Sequence, residues 1–369
     1  MTLSNKKKNS AGNMLQPKEL PKNFCFRPWN EVYAHYDTCG PCCLNYGLHK
    51  GDFNSYINSN ELKELKKSFL AGERHPSCIN CWKTEDSGMT SVRQQNTDIS
   101  TKIHRISLTL TDKCNFKCIM CGPEHSSAWS KDSSACSLVG AIPIKTDVYF
   151  DKIDWVINYC KNSNITLSMI GGEPFISDEY NYFLEQVEKN NLYDNISLVI
   201  TTNLSVLSYK GVDHLLELNK FPNKIIYASF DGLDSVGEYI RTGFKMKKFE
   251  ENLNKASHHI DYLSVAAQIY NVFDMPKIFH FAEKVNLKVL LNFVTDPDFM
   301  SLNNLTKQDR ETVLKHYSKL SWYNEDIFNV LNNNIYLNKK EKLLQFTKDI
   351  DSLWNRNCLR SIPELEQIM

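Results

Sequence analysis

From residue 103 onward, short apolar runs alternate with amphipathic segments, and this alternation constrains the 369-residue chain more than any other feature. Candidate strands are Arg105–Thr111, Ile165–Ile170, Ile196–Thr202, Lys224–Phe230, Leu263–Tyr270 and Leu287–Val294. Between them Tyr180–Lys189, Val212–Leu218 and Met275–Lys284 carry apolar residues at helical spacing. Strands that alternate with helices in this order pair in parallel through right-handed crossovers. The expected class is α/β, as an open doubly wound sheet or a partial barrel, and strand periodicity does not choose between them. After Val294 the chain turns Asn-rich and helical over Lys307–Leu320 and Glu341–Arg356, with Trp322 and Trp354 as packing anchors. That reads as a C-terminal helical extension covering one end of the sheet.

Composition removes several function classes. Lysine and arginine total 43 against 43 aspartates and glutamates, so no broad cationic footprint for nucleic acid is expected. An apolar content of 42% with 11% aromatics supports a large core. No apolar run approaches the roughly 18–20 residues that span a bilayer. Lys6, Lys7 and Lys8 are followed by a stretch without an apolar h-region. The expectation is a soluble cytoplasmic protein with neither a nucleic-acid nor a membrane partner.

The chain has 12 cysteines, and nine of them fall between Cys25 and Cys121. In a reducing compartment such crowding reads as metal binding or redox chemistry rather than disulfides. Cys136, Cys160 and Cys358 stand apart and read as small buried hydrophobes. The expected organisation is a disordered arm over 1–20, a Cys-rich region and polar connector over 21–102, a core over 103–295 and the helical extension over 296–369. Within the Cys-rich region Leu62, Leu65 and Phe69 predict a helix over Asn60–Ala71.

The sharpest local signal is Cys114-Asn-Phe-Lys-Cys118-Ile-Met-Cys121, directly after the first core strand. Three thiolates in a loop at a strand's C-terminal end can hold three irons of a cubane whose usual complement is four cysteines, which leaves one iron open. A structural zinc loop or unconnected buried thiols are the plainer alternatives. Four further strand ends are polar. They read Gly171-Gly172-Glu173-Pro174, Thr201-Thr202-Asn203, Ser229-Phe230-Asp231-Gly232 followed by Arg241, and Gln268-Ile269-Tyr270-Asn271. Glycines admit close backbone approach, and a carboxylate pairs an ammonium. Each end alone is weak, since polar residues at strand ends are common turn formers.

Together these elements, over roughly residues 103–295, resemble the radical S-adenosylmethionine (radical SAM) superfamily. The resemblance implies a partial (β/α)6 TIM-like barrel with its site at the C-terminal strand ends. It implies a [4Fe–4S] cluster on Cys114, Cys118 and Cys121 with an open iron that binds SAM. It implies further that Gly171, Gly172, Glu173, Thr202, Asn203, Ser229, Asp231, Arg241 and Asn271 serve the SAM molecule. Met120 stands where the family often has an aromatic residue near adenine, and its polarizable thioether substitutes.

The earlier cysteines occur as Cys25-Phe-Arg-Pro-Trp29, Cys39-Gly-Pro-Cys42-Cys43 and Cys78-Ile-Asn-Cys81. Three readings compete: a thioredoxin-type redox tetrapeptide, a zinc site with four thiolates, and an auxiliary cluster. The thioredoxin reading lacks the surrounding βαβ unit. The block, with Glu85, Gly88, Ser91 and Arg93 after it, resembles the twitch and SPASM-type regions of radical SAM proteins, here placed ahead of the core. That resemblance implies a second [4Fe–4S] cluster on Cys25, Cys42, Cys78 and Cys81. Asp37 replaces the family's usual Gly, which leaves Cys42, Cys43 and Cys39 as alternatives.

The expected function is that of a radical SAM enzyme acting on a peptide, a protein or a small polar substrate, with an electron donor such as ferredoxin or flavodoxin. The rival is a zinc-stabilised, non-catalytic scaffold on a degenerate barrel. His35, His75, His104 and His125 lie near the cysteines but read as hydrogen-bonded surface residues. Trp29, Tyr33 and Tyr36 recur at helical spacing and read as packing.

Overall fold

The computed structural model describes residues 20–45, 47–86, 90–95, 98, 100–140 and 150–369. Nearly all of the expected N-terminal arm, and Gly88, lie outside the described residues. The chain divides into two compact units, one of Met1–Thr109 with Asp151–Ser168, the other of Leu110–Phe150 with Met169–Met369.

In the first unit β1 (Glu31–His35), β2 (Thr38–Gly40) and β3 (His49–Lys50) form an antiparallel meander, with Tyr33 opposite Gly40 and Thr38 opposite Lys50. β1 also runs parallel to the start of β4 (Arg105–Thr111), from Glu31 opposite Arg105 to Ala34 opposite Leu108. The Cys-rich block therefore contributes strands, which corrects the helical reading of Trp29, Tyr33 and Tyr36. Every residue of β1 is buried. Its Val and Tyr suit a pleated surface, and a sheet partner some seventy residues along the chain outweighs the local spacing. Tyr36 instead turns the chain into β2 with φ 46°.

The predicted helix forms over Asn60–Leu70, capped by Ser59, whose side chain accepts from the Leu62 amide, and it buries Leu62, Leu65 and Phe69. Leu65 and Phe69 pack with Phe24, Cys25 and Trp82. The expected polar connector holds structure of its own, the helices Ile79–Asp86 and Val92–Gln95. Arg93 donates from Nε and Nη2 to the two oxygens of Glu85 at 2.8 and 2.7 Å, and from Nη1 to the Phe24 carbonyl at 2.7 Å. Ser91 adds a hydroxyl to Glu85 at 2.6 Å. A run of charged residues looks like linker in composition because composition does not reveal which charges pair; here they pair in the interior, where each needs the other.

In the second unit the last residues of β5 (Ile165–Gly171) precede four parallel strands: β6 (Ile196–Thr202), β7 (Lys224–Ser229), β8 (Tyr262–Ala267) and β9 (Lys288–Phe293). Successive registers place Thr202 opposite Ala228, Ser229 opposite Ser264 and Ala267 opposite Phe293. The α/β class with parallel strands stands.

β8 ends at Ala267 rather than Tyr270. Gln268 and Asn271 close a capping box there, and the chain turns through Ile269–Asp274 into the helix Met275–Lys284. In Val212–Leu218 only the second part is helical, because the Asp213 side chain accepts the Leu215 and Leu216 amides and starts the helix at His214. Beyond β9 come Lys307–Lys319, Glu325–Asn332 and Lys340–Leu353. Trp354 meets Trp129 edge-on at 5.1 Å and donates to Asp132 at 2.9 Å, while Trp322 packs on Tyr317. Among the described residues no helix is long and apolar enough to cross a membrane.

Candidate functional site

The loop after β4 is fixed by its neighbours before any ligand enters. Residues 117–118 pair antiparallel with 241–242, which sets Cys118 opposite Arg241. Ser127 Oγ accepts from the Cys114 amide at 3.1 Å, Ser126 donates to the Phe116 carbonyl, and Trp129 Nε1 donates to the Cys118 carbonyl at 2.9 Å. The Gly172 and Glu173 amides bond the Thr111 and Lys113 carbonyls, both at 2.7 Å. A side chain at Gly172 would place its Cβ 2.2 Å from the Lys113 carbonyl oxygen, so only glycine lets the two loops approach this closely.

These contacts enclose a cavity of about 250 Å³. Cys114, Cys118 and Cys121 line it together with Met120 from the same loop. Gly171, Gly172 and Glu173 enter from the end of β5, Asn203 from β6, Ser229 from β7, and Arg241 from the segment facing Cys118. Phe116, His125, Ile170 and Thr201 line it as well, and sequence reasoning assigned none of them. Thr201 could have been found from strand parity, because Thr202 turns the other way to reach Glu173.

Burial raises the Cys114 thiol to about 12 and raises those of Cys118 and Cys121, while Arg241 opposes the rise in all three. A metal bound there must displace the thiol protons.

Glu173 is buried and held from three sides. Thr202 Oγ1 donates to it at 2.7 Å, the Asn203 amide at 2.5 Å and the Phe175 amide at 3.1 Å. Burial nevertheless raises its carboxyl to about 7 against those donors. A carboxylate has roughly four acceptor positions, so about one remains. Arg241 lies 2.7 Å from Asp231 and points Nη1 at Cys118 Sγ, 3.7 Å away. Burial works against its charge, but Asp231 and the neighbouring thiols hold it protonated.

Three of the expected residues are not in the cavity wall. Thr202 serves Glu173. Asp231 accepts the Ala266 amide at 2.6 Å as well as pairing Arg241. Asn271 donates to the Asp231 and Ala266 carbonyls, both at 3.0 Å. They position the wall from behind.

In the first unit a second, small cavity is lined by Cys25, Cys42, Cys78 and Cys81. Arg27 and Arg93 complete its polar wall, and Phe69 and Val92 are apolar neighbours. Cys39 does not line it, and its thiol faces the Gly51 carbonyl at 3.5 Å; Cys43 is exposed. Burial pushes Cys25 up to about 12 and raises Cys42 and Cys78, with Arg27 lowering the first two. No three His, Cys, Asp or Glu side chains among the described residues converge closely enough to hold a single ion. In each unit the thiols line a cavity, about 20 Å³ in the first and about 250 Å³ in the second.

The nearby histidines are engaged elsewhere. His35 bonds Thr109 at 2.8 Å, His75 bonds Ser77 at 2.7 Å and His104 bonds Asp98 at 2.6 Å.

Residues 108–278 match the family model of the Radical SAM superfamily. Over 112 residues the chain is 23% identical to a GTP 3′,8-cyclase of Campylobacter lari, a stretch covering 30% of each protein. Among solved structures it is similar to native anSMEcpe with bound AdoMet, at 15% identity and a TM-score of 0.43, over 69% of this chain and 68% of that one. It is also similar to Streptococcus suis SuiB bound to the precursor peptide SuiA, at 13% identity and a TM-score of 0.39, over 75% and 62%. The chain spans under a third of the length of the curated relative.

Proposed function

We propose that this chain, whose residues 108–278 match the Radical SAM superfamily model, is a radical SAM enzyme that uses Cys114, Cys118 and Cys121 to hold a [4Fe–4S] cluster with one iron left for SAM. The single observation that carries this is the cavity uniting those three thiols with Glu173 and Arg241. The donor set fits both groups: soft thiolates suit iron, a carboxylate with a vacant acceptor position suits the methionine ammonium, and a buried guanidinium suits its carboxylate. The family implies the cluster and SAM. When bound, they supply reductive cleavage of the sulfonium to methionine and a 5′-deoxyadenosyl radical, which takes a hydrogen atom from a peptide, a protein or a small polar substrate.

The chain's own part is to orient and exclude. Glu173 receives the ammonium, held in place by Thr202, Asn203 and Phe175. Asp231 keeps Arg241 charged and aimed at the wall. Gly171 and Gly172 keep the backbone open beside the methionine end. Ser229 and Asn203 reach the ribose. Burial of the walls keeps water from the reacting centre.

In the first unit Cys25, Cys42, Cys78 and Cys81 hold an auxiliary cluster on a twitch-like region, and an electron donor of the ferredoxin or flavodoxin type serves the enzyme in the cytoplasm. A non-catalytic zinc scaffold is not favoured, because residues 108–278 match the Radical SAM superfamily model. Anaerobically purified protein given SAM and dithionite should be brown and should release 5′-deoxyadenosine. A colourless protein that leaves SAM intact would refute the reading.

SAM binding should depend on pH through Glu173. Its carboxyl, raised to about 7, is protonated below that value and must lose the proton before it can pair an ammonium. Affinity should therefore fall about tenfold per pH unit below 7 and level off above it. Glu173→Gln should bind weakly at every pH and lose that slope while keeping its iron. Calorimetric titration at pH 5.5, 6.5 and 7.5 checks both.

A further inference from the structure

A larger cavity of about 500 Å³ adjoins the first within the second unit, and the two share Met120, Cys121 and His125 as walls. Its far side is made by the helix Lys340–Leu353 and by the residues just after β9. Space of this size next to the cysteine cavity suits a side chain or a small molecule. Three carboxylates line it, Glu124, Asp296 and Asp349, and among the described lining residues the one ammonium is that of Lys342. None of the three carboxylates has a salt bridge among the described residues; Asp349 accepts only an amide hydrogen bond from Gln345, at 2.7 Å. The apolar part of the wall is aromatic, Phe299 beside Phe346 with centroids 5.1 Å apart. The Lys342 ammonium already rests over the Phe299 ring, 5.0 Å from its centroid. Among its described lining residues the chamber thus has a cation seated on its aromatic face and more negative charge than that one cation matches.

We infer that this chamber is the substrate site and that it selects a substrate presenting a cationic group, a primary amine or a guanidinium. The inference rests on the radical SAM reading of the adjoining cavity. The C-terminal extension then sets specificity through Asp349 and Lys342, together with Asp296 from the loop after β9. Lys342 is exposed, and it yields its place over Phe299 when the substrate's own cation arrives.

The test uses the full chain, loaded anaerobically with iron and sulfide, and three probes: N-acetyl-lysine amide, N-acetyl-norleucine amide and N-acetyl-glutamate amide. Binding is followed by saturation-transfer NMR, independent of turnover. The lysine probe should bind at least about tenfold more tightly than the neutral norleucine probe, the preference that one well-placed charged contact supports. Asp296→Asn with Asp349→Asn should reduce that preference to about twofold or less, and Lys342→Gln, a change at an exposed position, should strengthen lysine binding about threefold. Equal binding of lysine and norleucine probes, tighter binding of the glutamate probe, or a preference that survives the double variant would overturn the inference. SAM is titrated into the same wild-type sample. A lysine preference without SAM binding upholds the chamber as a cation site and overturns the reading of the smaller cavity. SAM binding without a lysine preference does the reverse.

Discussion

Changing Cys114, Cys118 and Cys121 together to alanine should abolish 5′-deoxyadenosine formation and lower iron from about eight to about four atoms per chain, one cubane's worth. The remaining iron should stay on the N-terminal cysteines. Two observations set this expectation. The three thiols share one wall of the cavity that also holds Glu173 and Arg241. The other four line a cavity in a different compact unit, so neither group borrows a ligand from the other. The loop itself should survive the change, because its shape comes from Ser126, Ser127, Trp129 and the pairing with residues 241–242 rather than from sulfur. Circular dichroism should therefore be unaltered. Anaerobic assay with dithionite, with iron counted by colorimetry, checks each part. Undiminished SAM cleavage in the triple variant would refute the assignment.

What the sequence made legible is what local chemistry encodes. β4 and β6 begin and end where their apolar alternation does, at Arg105–Thr111 and Ile196–Thr202. The helix Met275–Lys284 has the bounds that its spacing predicts. β1 was not legible, because five residues are too few to show a period and the aromatic spacing around them mimics a helix; only pairing with β4 reveals it.

The site divides in the same way. Its motif residues are contiguous in sequence and stand together in the wall. Phe116 and Ile170 carry no polar signal and are seen only in three dimensions. Asp231 and Asn271 show the converse limit. A polar residue at a strand end can face a ligand or fasten a neighbour, and its type does not say which. Here the Ala266 amide, the Ala266 carbonyl and Arg241 claim them. Glu85 and Arg93 are legible as charges but not as partners, which is why a buried ion pair reads as part of a connector.

Changing Cys78 and Cys81 together should also remove about half the iron, from about eight atoms to about four, but it should leave the Cys114 loop loaded. SAM binding should persist, whereas turnover that needs the auxiliary cluster should stop. The adjacent pair Cys42 and Cys43 then sharpens the assignment. Cys42 lines the cavity with Cys25, Cys78 and Cys81, is buried, and has its thiol raised by that burial. Cys43 is exposed and does not line the cavity, and Cys39 points its thiol at the Gly51 carbonyl. Cys42→Ala should therefore cost the auxiliary iron, and Cys43→Ala and Cys39→Ala should not. Arg27 adds an independent handle. It lies in the same wall, paired with Glu31 at 2.5 Å, and its charge lowers the thiol pKa of Cys25 and Cys42. Arg27→Met should leave iron content intact but shift the auxiliary cluster to a more negative potential, because a buried cation beside it favours the added electron. Anaerobic redox titration followed by electron paramagnetic resonance reads that shift. Zinc at one atom per chain, with iron for a single cubane, would rule out the auxiliary cluster, and the substrate radical would then need an oxidant from outside this region.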